Sequence, residues 1–137
     1  EKMKICESII KQLIAHTKKD APLEACGYLA AKDGVITEIY ALNNIDKSSE
    51  HFSFDPKEQF CAVKDMRVKN LELCGVYHSH PATPARPSEE DIKLAFDPDI
   101  LYMIVSLAAG REDVQAYKIK NQKVEPVYLE VIADEEV

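Results

Sequence analysis

Two histidines and one aspartate in the stretch 78–91, HSHPATPARPSEED, form the pattern in this sequence best suited to chemistry. His78 and His80 are two residues apart, so on a β-strand both imidazoles point to one face and can bind one ion together. Asp91 follows a segment with prolines, which we interpret as a stiff loop that returns a carboxylate to the histidines. Two nitrogen ligands, one oxygen ligand and a fourth position for water are typical of a hydrolytic zinc site.

The same residues also allow a purely structural interpretation. A His-x-His pair at the end of a strand can be polar surface. Ser88 and Asp91 can form the capping box of a helix that begins there. The spacing alone leaves both interpretations open.

Predicted helices and strands must position these residues. Apolar residues at helical spacing predict an amphipathic helix from about Met3 to Thr17. A second helix is predicted to begin at Pro56, with Asp55 as its N-cap. A third helix is predicted to begin within PSEEDIKLAF, the segment that contains Asp91.

The predicted strands come between and after these helices in the sequence. The segment EACGYLAAKDGVITEIYALNN predicts two strands joined by a hairpin turn at Asp33-Gly34. Further strands are predicted at HFSF, LCGVYHS, LYMIVSLAA, DVQAYKIK and KVEPVYLEVI. LYMIVSLAA is expected in the centre of the sheet. Pro126 indicates an edge or a bulge in the last strand, and ADEEV is expected to fray.

Together these elements predict one α/β domain over residues 1–137. A mixed central β-sheet is expected to be flanked by helices, with one long helix from each half of the chain packed on it.

Composition limits the partners and the compartment. The net charge is −7 and no basic patch is present, which argues against a nucleic acid partner. No apolar run approaches about 18 residues, so no membrane span is predicted, and the start, EKMKICESII, shows no secretory pattern. The 4 cysteines include no Cys-x-x-Cys pair and are expected to be buried free thiols in a reducing cytoplasm. The sequence does not indicate an oligomeric state.

The combined motifs resemble a known family. His78-Ser79-His80-Pro81 followed by Ser88-Glu89-Glu90-Asp91 is similar to the signature of the JAMM metalloproteases, also called MPN-plus or JAB-domain proteins. That signature is His-x-His-Pro, a spacer, and Ser-x-x-Asp. Glu24 in LEACGYL matches the glutamate that the family carries just before a glycine-containing strand. The resemblance covers about residues 3–120, and the short chain is similar to small bacterial and archaeal members.

This resemblance implies a fold similar to that of cytidine deaminases and one zinc ion held by His78, His80 and Asp91. It implies that Glu24 takes a proton from the attacking water and that Ser88 helps to stabilise the oxyanion. The implied reaction is hydrolysis of an amide or isopeptide bond at the C-terminal Gly-Gly of a ubiquitin-like sulfur-carrier protein. The chain has no room for the insertions with which eukaryotic members recognise a second ubiquitin, so selectivity for polyubiquitin is not expected.

Two other functions remain open from the sequence. A zinc amidohydrolase for a small molecule could use the same metal ligands, although the Pro-Cys-x-x-Cys pattern of deaminases is absent. A non-catalytic scaffold, as in relatives that have lost the ligands, is the other alternative. His16 and His51 are not expected to be ligands, and His16 is expected to be exposed. An extended substrate tail is expected to bind by adding a strand to the sheet.

Overall fold

Seven strands and three α-helices make up the fold in the computed structural model, which describes residues 1–137. In chain order they are β1 (Lys2–Cys6), α1 (Glu7–Asp20), β2 (Cys26–Lys32), β3 (Val35–Leu42), α2 (Pro56–Val68), β4 (Glu72–His80), α3 (Glu89–Lys93), β5 (Leu101–Ser106), β6 (Asp113–Lys120) and β7 (Lys123–Ile132). Two short 3-10 segments, Ala108–Gly110 and Asp134–Glu136, complete the structure. No helix has both the length and the apolar character needed to cross a membrane.

The strands form one mixed sheet whose two ends meet. Their order is β1-β3-β2-β4-β5-β6-β7, and β7 pairs with β1 in parallel, so the sheet closes into a barrel. β4 is parallel to β5 and antiparallel to β2. Both β2 and β4 therefore have a neighbouring strand on each edge. A substrate tail cannot add a strand beside β2 or β4, so that expectation is wrong for these two strands. They are the strands nearest the candidate residues, because Glu24 precedes β2 and β4 contains His78 and His80.

The two long helices cover opposite faces of β2. Ile9 and Leu13 of α1 belong to a buried cluster that includes Leu29 of β2. The neighbouring residues of β2, Tyr28 and Ala30, instead pack in a cluster with α2. Successive side chains of a strand point to opposite faces, so the sheet is covered on both sides here. The predicted mixed α/β fold is confirmed.

The first helix begins later than predicted. Residues 2–6 form β1, which pairs with β3 and β7, and the helix runs from Glu7 to Asp20. Ile5 is fully buried and fits both the helical period and an inward-facing strand position. The local pattern therefore could not separate the strand from the helix.

Two local predictions are confirmed in detail. Asp33 and Gly34 both have positive φ angles, 50° and 81°, as a type I′ hairpin turn requires. The Asp55 carboxylate accepts the backbone N–H of Lys57 at 2.9 Å, and Pro56 is the first residue of α2. β4, β6 and β7 also lie where the sequence predicts them. β5 begins at Leu101 as predicted but ends at Ser106, three residues before the predicted end, because Ala108–Gly110 form a 3-10 segment.

Other predictions are wrong. HFSF is not a strand and makes only an isolated bridge between Asn44 and Phe54. α3 has 5 residues, so both long helices come from the first half of the chain. The last residues are not irregular: Asp134–Glu136 form a 3-10 segment, and Asp134 Oδ1 accepts the N–H of Ser8 at 3.1 Å, next to the start of α1. Pro126 does lie at a local edge, since it pairs with β6 whereas the β1 pairing begins at Tyr128.

The cysteines are all free, as predicted. Cys6 and Cys26 are buried, and Cys74 is half-buried. Cys61 on α2 is exposed, so the prediction of burial is wrong for this residue. Cys61 lies with the buried Ala62 at an open groove between α2 and β3, where its side chain stays accessible.

The packing of α1 can be tested at Leu13, which is fully buried between the helix and the sheet. We expect Leu13→Ala to lower the free energy of unfolding by about 2–5 kcal/mol, because it leaves a cavity. Val68→Ala is the control, since Val68 is 76% exposed, and we expect a change within about 0.5 kcal/mol. Chemical denaturation measures both. Equal effects of the two substitutions would contradict this packing.

Candidate metal centre

β4 presents His78 and His80 side by side. Both are buried, and their Nε2 atoms are 3.2 Å apart, so they point to the same face as the sequence predicts. The ring of Phe52 stacks on that of His78 with centroids 4.9 Å apart. Ser79, between the histidines, is turned away from them, and its Oγ accepts the N–H of Ala25 at 2.7 Å.

Asp91 reaches the histidines from the start of α3. Its Oδ2 lies 3.1 Å from Nε2 of each histidine. The same oxygen accepts the N–H of Ser88 at 2.9 Å, and Ser88 Oγ accepts the N–H of Asp91 at 3.0 Å. These two bonds form the capping box that was the competing interpretation. The cap and the cluster therefore coexist and share one carboxylate oxygen.

The proline loop, residues 81–88, is fixed by three consecutive carbonyl oxygens. The donors come from three adjacent strands, β4, β5 and β6. His80 Nδ1 donates to Pro84 O at 2.8 Å, Ser106 Oγ to Thr83 O at 2.6 Å, and Tyr117 Oη to Ala85 O. The loop therefore returns Asp91 along a path that these side chains determine.

The carbonyl of Pro84 also sets the tautomer of His80. A carbonyl oxygen can only accept, so Nδ1 carries a proton. When the ring is neutral, Nε2 therefore presents a lone pair that can bind a metal, and when Nε2 is protonated as well it donates to Asp91. Nε2 of His80 lies 3.1 Å from the Asp91 carboxylate and 3.2 Å from Nε2 of His78. With zinc–ligand bonds of about 2.0 Å, ligand atoms of a tetrahedral site lie about 3.3 Å apart. The two Nε2 atoms and Asp91 Oδ2 thus form a triangle of suitable size for a zinc ion. His78, His80 and Asp91 are therefore one candidate metal group.

Electrostatics favour a cation at this triangle. Burial would raise the pKa of Asp91, but hydrogen bonds from His78, His80 and the Ser88 N–H hold it well below its ordinary value. Burial would lower the pKa of His80, but its bonds to Asp91 and to the Pro84 carbonyl raise it overall. The carboxylate therefore stays ionised and attracts positive charge.

Glu24 lies next to this cluster, just before β2. It is only 3% exposed, and burial raises its pKa to about 8, with the charge of His80 acting in the opposite direction. Its Oε1 atom is buried without a hydrogen-bond partner, which costs free energy unless a ligand or a proton is shared there. Glu24 is therefore a carboxyl group that can gain and lose a proton near neutral pH.

The loop 45–53 closes the other side of the site. Asn44 organises this loop, because its Nδ2 donates to the carbonyls of Glu24 at 3.2 Å and His51 at 3.0 Å. Asn44 Oδ1 accepts the N–H of Ser53 at 3.3 Å. Asn44 is buried, and its side chain therefore fixes the loop that carries Phe52 against the Glu24 segment.

Three of these contributors were missed as parts of the site: Asn44, Phe52 and Ser79. A buried serine between two histidines of a strand is a usable signal for Ser79. No local pattern marks Phe52, because its partner His78 comes from a distant part of the chain.

The two remaining histidines lie outside the cluster, as predicted. His16 is not exposed, however, since its side chain is only 12% accessible. Its Nδ1 lies 2.7 Å from Tyr77 Oη and its Nε2 lies 3.0 Å from Asp20 Oδ2, so it joins α1 to β4. His51 is exposed, with Nδ1 3.9 Å from Glu90 Oε1.

Comparison with known proteins shows the family of this chain. The family described as prokaryotic homologs of the JAB domain matches residues 7–120. A CysO-cysteine peptidase from Mycobacterium bovis is 34% identical over 124 residues, which cover 87% of this chain and 85% of the relative. A probable TtuB-protein conjugate cleaving protease from Thermus thermophilus is 34% identical over 123 residues, which cover 88% of this chain and 79% of the relative.

Solved structures show the same fold. A solution structure of a protein from Desulfitobacterium hafniense has a TM-score of 0.85 and 41% identity, covering 97% of this chain and 96% of that one. A JAB1/MPN domain protein from Archaeoglobus fulgidus has a TM-score of 0.67 and 26% identity, covering 96% and 99%. The resemblance inferred from the motifs is confirmed. The chain belongs to the prokaryotic JAB-domain, or JAMM, family and is a hydrolase of peptide or isopeptide bonds.

Proposed function

We propose that this chain is a zinc-dependent peptidase that hydrolyses the bond after the C-terminal Gly-Gly of a ubiquitin-like sulfur-carrier protein. The observation that carries the proposal is the meeting of three ligand atoms, from His78, His80 and Asp91, beside a buried carboxylate with an unpaired oxygen. We also propose that residues 1–137 act as one catalytic domain, because β1 and β7 pair along Lys2–Cys6. The free thiols fit a reducing cytoplasm.

In this proposal His78, His80 and Asp91 hold one zinc ion. The Pro84 carbonyl holds the proton of the neutral His80 ring on Nδ1, so Nε2 is the nitrogen available to the ion, and the Ser88 N–H orients the Asp91 carboxylate. Such partners behind the ligands fix the direction of each lone pair. Bound zinc would supply Lewis acidity, which makes water nucleophilic at neutral pH and polarises the scissile carbonyl.

Glu24 is the proposed general base. Its buried, unpaired Oε1 can accept a proton from the attacking water and later give it to the leaving amine. Burial raises the pKa of Glu24 to about 8, which favours the protonated form that the group takes between the two transfers. The positive charge of a bound zinc ion would lower this pKa and favour the carboxylate that accepts the proton.

Ser88 is the proposed donor to the oxyanion. Its Oγ accepts the N–H of Asp91 with a lone pair, which leaves the hydroxyl proton free for a further bond. A donor directed at the developing negative charge typically contributes about 10²- to 10³-fold in rate. The capping role keeps this hydroxyl next to the ligand that α3 contributes.

The substrate class follows from the family resemblance. Two relatives are named for protein substrates, CysO-cysteine and TtuB-protein conjugates. Glycine residues lack side chains and can therefore approach the buried candidate metal ligands most closely. This supports a Gly-Gly tail as the substrate. A small-molecule amidohydrolase is the alternative, and the substrate test below separates the two. A non-catalytic scaffold would have no use for the unpaired Glu24 oxygen.

Zinc binding is the first test. We expect one zinc ion per chain after loading and dialysis, and loss of this zinc in His78→Ala and in His80→Ala, because each removes one of three ligands. His51→Ala is the matched control and should keep the metal, since His51 is exposed and lies outside the cluster. Elemental analysis measures the ratio, and circular dichroism checks the fold. A zinc content of one ion per chain in both variants would show that His78 and His80 are not zinc ligands.

The role of Glu24 is tested by Glu24→Gln. We expect the fold and the zinc content to remain and the turnover number to fall by about 10²- to 10⁴-fold, because the base is lost and the ligands are not. Glu50→Gln, an exposed acid on the loop beside the site, is the control and should retain turnover. A Glu24→Gln rate within a factor of a few of the wild type would exclude Glu24 as the base.

The substrate is tested with a carrier protein that has an extension after Gly-Gly, compared with the same protein bearing Ala-Ala or Val-Val. We expect cleavage only in the Gly-Gly protein, directly after the second glycine, because side chains would obstruct the approach to the metal ligands. Mass spectrometry locates the cut. Equal cleavage of all three would overturn the Gly-Gly requirement and favour the small-molecule amidohydrolase.

A further inference from the structure

The peptide group that joins Glu24 to Ala25 is bound by a side chain at each of its two polar atoms. Its carbonyl oxygen accepts a hydrogen bond from Asn44 Nδ2 at 3.2 Å. Its N–H, which belongs to Ala25, donates to Ser79 Oγ at 2.7 Å. Asn44 follows β3 and Ser79 lies in β4, and these two strands are the neighbours of β2 in the sheet. The peptide group is therefore held from both sides.

The sheet itself does not hold this peptide group, because Glu24 and Ala25 precede β2 and belong to no helix or strand. The peptide groups before and after it bond to backbone atoms instead. The N–H of Glu24 donates to Ser48 O at 2.8 Å, and Ala25 O accepts the N–H of Ser79 at 2.9 Å. Buried peptide groups need partners for their polar atoms. Of these three consecutive groups, only the middle one takes both partners from side chains.

The plane of this peptide group sets the direction of the Glu24 side chain. A peptide unit is planar and rotates as one body, so a rotation of the plane changes the backbone angle ψ of Glu24. The Cα–Cβ bond would then turn relative to the candidate metal ligands. At the far end of the side chain, Oε1 has no hydrogen-bond partner. The carboxyl group therefore takes its direction from the backbone and not from a bond at this oxygen.

We infer that Asn44 and Ser79 are positioning residues, which hold Glu24 in the direction that its proton transfers require. The inference rests on the proposed function, in which Glu24 is the general base. Neither side chain makes a hydrogen bond to a candidate metal ligand. Asn44 also fixes the loop 45–53 through the carbonyl of His51, so its effect through Glu24 has to be separated from an effect through this loop.

The first test is Asn44→Ala, assayed with a carrier protein that has an extension after Gly-Gly. We expect kcat to fall by about 10- to 10²-fold, because misplacing a catalytic group by about 1 Å has an effect of this size. The zinc content should stay at one ion per chain and KM should change by less than about twofold, since neither the ligands nor the substrate contacts are removed.

Asn43→Ala is the matched control. Asn43 is the neighbouring asparagine, but it is exposed and its Nδ2 donates to Glu58 on α2 at 2.6 Å, so kcat should remain unchanged. Steady-state kinetics, elemental analysis and circular dichroism measure rate, zinc and fold. A kcat within about twofold of the wild type in folded Asn44→Ala, or loss of zinc from this variant, would overturn the inference.

A double mutant shows whether Asn44 acts through Glu24. The base is already lost in Glu24→Gln, and residues that act as one unit have non-additive effects. We therefore expect Asn44→Ala to lower the residual kcat of Glu24→Gln by less than about twofold. A further loss of about tenfold in this background would mean that Asn44 acts through the loop 45–53 or the metal ligands, and the inference would fail.

Ser79→Ala removes the other partner of the same peptide group, and it decides the question if Asn44→Ala does not fold. We expect the same pattern: a lower kcat, a KM within about twofold of the wild type, full zinc, and no further loss in Glu24→Gln. If Glu24→Gln itself keeps the wild-type turnover, the proposed base and this inference both fail. If Glu24→Gln loses turnover while Asn44→Ala and Ser79→Ala keep it, only the inference fails.

Discussion

The candidate site depends on three carbonyl oxygens of the proline loop. Thr83, Pro84 and Ala85 accept hydrogen bonds from side chains of three adjacent strands. Prolines at positions 81, 84 and 87 restrict the backbone around these carbonyls. The loop is thereby held to one path, and Asp91 returns to within 3.1 Å of both histidines. A looser loop would leave the histidines on β4 without their third partner.

The same arrangement links the metal ligands to the proposed base. His80 uses Nδ1 to fix the loop and thus presents Nε2 as a lone pair, so one imidazole supports both the fold and the ligand set. On the other side, Ser79 Oγ accepts the N–H of Ala25, which ties β4 to the residue that follows Glu24. The carboxyl group of Glu24 is therefore placed by the strand that carries the histidines, and its burial follows from this placement.

The sequence predicted the features whose causes are local. The alternation of β4 placed His78 and His80 on one face, and the capping pattern placed Ser88 and Asp91 at the start of a helix. Features that depend on distant partners could not be predicted. β1 pairs with β7 from the other end of the chain, and the burial of His16 depends on Tyr77, 61 residues away. The peptide group after Glu24 is also held by side chains from segments far apart in sequence.

We propose that two imidazole nitrogens and one carboxylate oxygen surround a single zinc ion. X-ray absorption spectroscopy at the zinc edge of the loaded protein tests it most directly. We expect only nitrogen and oxygen ligands, at about 2.0–2.2 Å from the zinc, with the outer-shell pattern of two imidazole rings. A sulfur neighbour at about 2.3 Å, which would point to a cysteine ligand, or a spectrum with fewer than two imidazoles would contradict it.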